Sequence, residues 1–91
     1  MSKYTLLTVD LNNDVSAEKR FGFYEYLEKK NWGKILNLTT TWMASWDDIH
    51  ADSEIIRTAK KHVEDAAEAE GIASYSACVG VSLQKPETWH K

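Results

Sequence analysis

The sequence predicts an α+β fold in which two helices cover one face of an antiparallel sheet. Three observations carry that expectation. Residues 4–11, YTLLTVDL, form an opening run rich in β-branched and aromatic residues, as strands are. Residues 73–83 alternate Ala73, Tyr75, Ala77, Val79, Val81 and Leu83 against Ser74, Ser76, Cys78, Gly80 and Ser82, the mark of a two-faced strand. Between them lie two segments whose apolar residues recur at helical spacing.

The first strand stops at Asn12, Asn13 and Asp14, and Asp14 or Ser16 is placed to cap a helix over residues 17–30. Steps of 100° group Ala17, Phe21, Phe23, Tyr24, Tyr26 and Leu27 on one broad arc, with Glu18, Glu25 and Lys29 opposite. Gly22 falls on the solvated side, and Asn31 and Gly33 end the helix. Residues 32–46, WGKILNLTTTWMASW, are too β-branched and aromatic for a comfortable helix and too long for one strand. They divide into a short strand over 34–38 and a second over 40–46, with one long bent strand as the alternative. In the second, Thr40, Trp42, Ala44 and Trp46 share one face and Thr41, Met43 and Ser45 the other.

A polar connection over 47–52 leads to a second helix, capped by Asp52 or Ser53 and running to about residue 70. Ile55, Ile56, Ala59, Val63, Ala66 and Ala67 form its apolar stripe. Gly71, followed by apolar Ile72, suits a Schellman ending. Residues 85–91, with Trp89, form a tail after the last strand.

The order strand, helix, strand pair, helix, strand is the ferredoxin-like plan, βαββαβ, or βαβαβ if the middle strand is one bent element. The 91 residues fit one such domain. Leu7, Val9 and Leu11 then face the helices, while Tyr4, Leu6, Thr8, Asp10 and the serines of the last strand face the open side. A thin core and four tryptophans favour a homodimer.

Composition narrows the function classes. A formal charge of −3 supplies no global basic field for nucleic acid. A single cysteine excludes an internal disulfide, and with no signal-peptide pattern the expected compartment is the cytoplasm. No run approaches the roughly 18 apolar residues of a membrane helix.

Asp10 is the leading candidate site residue. At the tip of a strand and off the helix-packed face, it reads either as a turn residue bonding loop amides or as a carboxylate ligand for a divalent cation. One carboxylate makes a poor magnesium site, but dimer symmetry would supply a second. Arg20 lies within the apolar arc of the first helix. It either snorkels past the sheet edge or grips a phosphate with Lys19 beside it. His50, His62 and His90 with Cys78 match no zinc spacing. His50, in a polar loop, is the freest general base, and Cys78 reads as a packed thiol.

A strand ending in Val9, Asp10 and Leu11, a polar loop, the helix start EKRF with Lys19 and Arg20, and Gly33 resemble a group of small ferredoxin-like nucleases. The group comprises the CRISPR adaptation nuclease subunits and VapD toxins. The threonine-rich TTTWMAS stretch is more loosely similar to the GhoS antitoxin endoribonuclease. The resemblance covers mainly residues 4–46. It implies a dimer in which Asp10 of both copies binds Mg, with Lys19 and Arg20 positioning the phosphates of RNA. The expected function is accordingly a nuclease-like or toxin–antitoxin-type protein. The competing expectation is a non-enzymatic dimeric module that binds a protein or small effector through the sheet face or the loop at Ile49.

Overall fold

The computed structural model describes residues 2–12 and 14–91. The elements follow in the order β1 (Ser2–Leu11), α1 (Ala17–Lys29), β2 (Gly33–Lys34), β3 (Thr41–Asp47), α2 (Asp52–Ala69) and β4 (Tyr75–Ser82). The sheet order is β2-β3-β1-β4, with every neighbouring pair antiparallel. Two helices against one face of a four-stranded antiparallel sheet make this an α+β arrangement consistent with a ferredoxin-like sandwich. Among the described residues, no helix is long and apolar enough to cross a membrane.

Pleat parity decides the two faces. In β1 the side chains of Thr5, Leu7, Val9 and Leu11 are buried under the helices, and those of Leu6, Thr8 and Asp10 are exposed. Register carries this outward. Leu7 is opposite Trp42 and Val79, whereas Leu6 is opposite Met43 and Gly80. The core is completed by Phe23 and Leu27 of α1, Ile55, Ala59, Val63, Ala66 and Ala67 of α2, and Trp32 and Ile72 just beyond the helices. The alanines on α2 let it lie close to the sheet, as their spacing predicts.

Two helix ends share one device. Asn31 (φ 70°) and Gly71 (φ 67°) take left-handed backbone. The following residues then bond backward, Trp32 N–H to the Leu27 carbonyl at 3.1 Å and Ile72 N–H to that of Ala67 at 2.9 Å, the Schellman arrangement. The sequence anticipates Gly71 in this role. At α1 the left-handed position falls to Asn31 alone, one of the few non-glycine types that accept it, and Gly33 belongs to β2.

Several expectations are corrected. Ser16, not Asp14, caps α1, accepting from the Lys19 N–H at 3.2 Å. The N-cap of α2 is Ala51, whose side chain has no acceptor; Asp52 is already the first helical residue, and its carboxylate is engaged by Lys3 at 2.8 Å. β2 is two residues long rather than five. Asn37 turns left-handed (φ 69°) and Leu38 N–H bonds to the Ile35 carbonyl, which closes a turn where a strand was expected. Phe21 is 67% exposed although it lies on the apolar arc. That arc is wider than the strip of α1 that reaches the sheet, so only Phe23 and Leu27 are fully buried. Gly22 is not fully solvated either, since the Glu70 carboxylate lies where its Cβ would stand.

The three core-side tryptophans have different fates. Trp46 donates to the Thr5 hydroxyl at 3.0 Å, and Thr5 donates on to the Ala44 carbonyl at 3.2 Å. Trp32 donates to His62. Trp42, fully buried, has an indole N–H without a hydrogen-bond partner among the described residues. Its ring packs against Tyr24 at 5.5 Å between centroids, and the Lys34 ammonium lies over both rings, 4.5 Å from Tyr24 and 5.9 Å from Trp42.

Candidate functional site

The strands decide where Asp10 goes. Even-numbered residues of β1 point to the open face, and Asp10, one residue from the end of the strand, stands opposite Ser76 of β4. Its neighbour Thr8 lies between Thr41 and Cys78, with the two threonine hydroxyls 3.5 Å apart. Asp10 is exposed and makes no hydrogen bond or ion pair with another described residue. The turn that follows is closed by the main chain, Val15 N–H to the Asn12 carbonyl at 3.0 Å. Among the described residues no loop amide bonds to the Asp10 carboxylate, and Asn13 of that loop lies outside the described residues.

Arg20 is a loop staple. Its Nε donates to the Val15 carbonyl at 3.1 Å and its Nη2 to the Asn12 carbonyl at 2.5 Å. The guanidinium thus spends two donors holding the β1–α1 connection against the first turn of α1. Lys19 lines a depression of about 170 Å³ with Asn12, Asp14, Gly71, Ile72 and Ser74. Asp10 does not line it. The fold brings Asp10, Lys19 and Arg20 to one end of the sheet, but on different sides of the strand layer.

Within one chain the donor set does not fit a magnesium ion. Asp10 offers one carboxylate, and no group of three or more His, Cys, Asp or Glu side chains among the described residues is placed to hold a metal. The other candidates also take different roles from those expected. His50 is tied by Nδ1 to Glu54 Oε1 at 2.7 Å, and its carbonyl accepts from Lys3 at 2.8 Å. It is a bracket between β1 and the start of α2 rather than a free base. Cys78 is exposed on the open face rather than packed.

The open face is low in charge. Register places Ser2, Tyr4, Leu6, Thr8 and Asp10 there, with Thr41, Met43, Ser45 and Asp47 on one side and Ser76, Cys78, Gly80 and Ser82 on the other. Its strands present two carboxylates and neither lysine nor arginine. Residues beyond β4 border this face. Gln84, Lys85, Pro86 and Glu87 line a depression of about 420 Å³ with Tyr4, Leu6, Gly80 and Ser82. Glu87, Thr88, Trp89 and His90 then line another, of about 510 Å³, with Ile35, Leu36, Asn37 and Leu38.

That second depression gathers apolar side chains that no described residue covers. Leu36 and Trp89 are each 85% exposed and Leu38 is 47% exposed. Sequence reasoning missed this patch because it placed residues 34–38 in a strand. The left-handed Asn37 is what turns two leucines outward, and the tail position of Trp89 was the only hint in the sequence. A scan of family models and searches of curated proteins and of solved structures return no match for this chain.

Proposed function

We propose that the chain is a homodimeric protein-binding module whose contact surface is the patch formed by Leu36, Leu38 and Trp89. The observation that carries this reading is the joint exposure of Leu36 and Trp89 around one depression. Large apolar side chains gathered in this way, with polar neighbours such as Asn37, Glu87 and His90, are characteristic of protein interaction sites. A tryptophan flanked by leucines is a suitable anchor for an apolar pocket on a folded partner. The low charge of the strand residues on the open face, with Lys85 at its border beside Glu87, fits a protein surface better than a phosphate backbone. To test it, a photo-crosslinking residue is placed at position 89 in cells that make the protein. The reading predicts a discrete protein adduct that disappears with Leu36→Glu. Adducts to RNA only, or a protein adduct indifferent to Leu36→Glu, would refute it.

A second reading is favoured by one observation, the exposed Asp10 carboxylate at the tip of β1 on the open face. If two copies stacked open face to open face, their Asp10 carboxylates could share a magnesium ion. The chain would then be a metal-dependent RNA-cutting protein of the toxin–antitoxin kind, with Lys19 and Arg20 near the phosphates. When bound, the metal would supply an activated water for phosphodiester attack. Incubating RNA with the protein and magnesium or manganese tests this. Cleavage must occur and must be lost in Asp10→Ala.

A further inference from the structure

The two edges of the sheet are built differently. One edge, β2, is two residues long and carries Lys34. Short length and lysine are two of the means by which edge strands avoid pairing with other chains. The other edge, β4, is eight residues long and pairs only with β1, from Tyr4 opposite Ser82 to Leu11 opposite Tyr75. Outside that ladder, no backbone hydrogen bond among the described residues involves residues 75–82. From Gly71 to Gln84 the sequence has no charged residue and no proline. Neither charge, proline nor short length protects this edge.

We infer that two copies of this chain pair antiparallel through β4, joining their four-stranded sheets into one of eight strands. This inference rests on the homodimer reading and gives it a location. The occupant is a second copy because β4 is compatible with itself. A twofold axis requires each residue to meet its counterpart on the same face. With Val79 on the axis, Ala77 meets the second copy's Val81 on the helix side. On the open side Cys78 meets Gly80, and Ser76 meets Ser82. Apolar residues face apolar ones, hydroxyls face hydroxyls, and no like charges are opposed.

The helix layer supports the same partner. Ile56, 39% exposed, and Lys60 overhang β4 beside a groove of about 270 Å³ lined also by Val63, Tyr75, Ala77 and Val79. Ile56 leaves apolar surface exposed there, and a second β4 with its own α2 would close the groove. Glu64 lies one turn from Lys60 on α2. Antiparallel copies of α2 would therefore offer base to acid across the axis.

The arrangement has a consequence for Asp10. Three strand spacings separate β1 from its counterpart, about 14 Å, and the register sets the two Asp10 residues about 20 Å apart along the strands. A dimer built this way cannot hold one metal ion between the two Asp10 carboxylates.

The experiment uses the full chain. Sedimentation across a dilution series should give a dimer for wild type and a monomer for Ser76→Lys/Cys78→Lys, whose lysines sit on the exposed face of the edge strand. Circular dichroism of that variant should match wild type. A short bis-maleimide should link two copies through Cys78, the chain's only thiol. This second measurement needs no altered edge and so stands if the lysine variant fails to fold. Wild type sedimenting as a monomer would overturn both the interface and the homodimer reading. A dimer that survives the two lysines, or that shows no Cys78 link, would overturn the β4 interface alone.

Discussion

The indole N–H of Trp32 donates to Nδ1 of His62 across 3.1 Å. It joins the segment just beyond α1 to the middle of α2, and requires an imidazole whose Nδ1 is unprotonated. Burial lowers the His62 pKa below its usual value, and the Lys30 charge adds to this, with Lys61 acting the same way and Asp65 opposing.

Stability should therefore depend on pH through this bond. Above pH 6.5 His62 is neutral in both folded and unfolded chains and contributes no slope. As pH falls through 6.5, the ordinary value, the unfolded chain takes up the proton first, so stability is lost progressively toward the lower folded pKa. The melting temperature should drop between pH 7.5 and 5 in wild type and drop less in His62→Gln, whose amide oxygen can still accept from Trp32. Equal slopes for the two proteins would show that His62 is not the group responsible.

Trp42 separates ring packing from hydrogen bonding. Its N–H is buried without a partner among the described residues, so Trp42→Phe loses some volume but also removes an unsatisfied donor. The net cost should be within about 1.5 kcal/mol. Trp42→Ala should cost about 3–5 kcal/mol by opening a cavity under Tyr24. Urea unfolding of both variants checks this, and similar losses for the two would mean that the N–H is satisfied after all.

Arg20 should behave as a structural residue. Arg20→Met keeps the aliphatic stem and removes the bonds to the Val15 and Asn12 carbonyls. A loss of about 1 kcal/mol is expected at this half-exposed site. Hydrogen exchange at the Val15 and Ser16 amides should quicken. Unchanged stability together with lost RNA affinity would instead return Arg20 to the phosphate-binding role.

Gly71 is held at φ 67°, with only the Lys19 ammonium within 4 Å of where a Cβ would stand, at 3.9 Å. Space is available, so the cost of Gly71→Ala is backbone strain, about 1 kcal/mol or more. Gly71→Asn should cost less, since asparagine already holds the equivalent position at Asn31. A thermal melt in which alanine and asparagine are equivalent would contradict this account.

The sequence by itself determined the elements whose signal is local. β1 follows from its β-branched and aromatic run, β4 from alternation, α2 from its stripe, and the end of α2 from Gly71, because each depends on neighbours a few residues apart. The ferredoxin-like plan followed from their order. Asp10 could be assigned to the open face for the same reason, since parity along one strand settles it.

Only the tertiary structure decided the rest. Which part of the wide apolar arc of α1 meets the sheet depends on where the helix lies, so Phe21 is exposed and Phe23 is not. That Arg20 bonds its own loop depended on carbonyls five and eight residues away being turned toward it. Trp32 met His62, and Leu36 came beside Trp89, across separations of 30 and more than 50 residues. The residues of β4 predict a two-faced strand, but only the sheet order makes it an edge. A backbone group is free or paired according to which strand lies beside it, and that is a property of the assembled sheet.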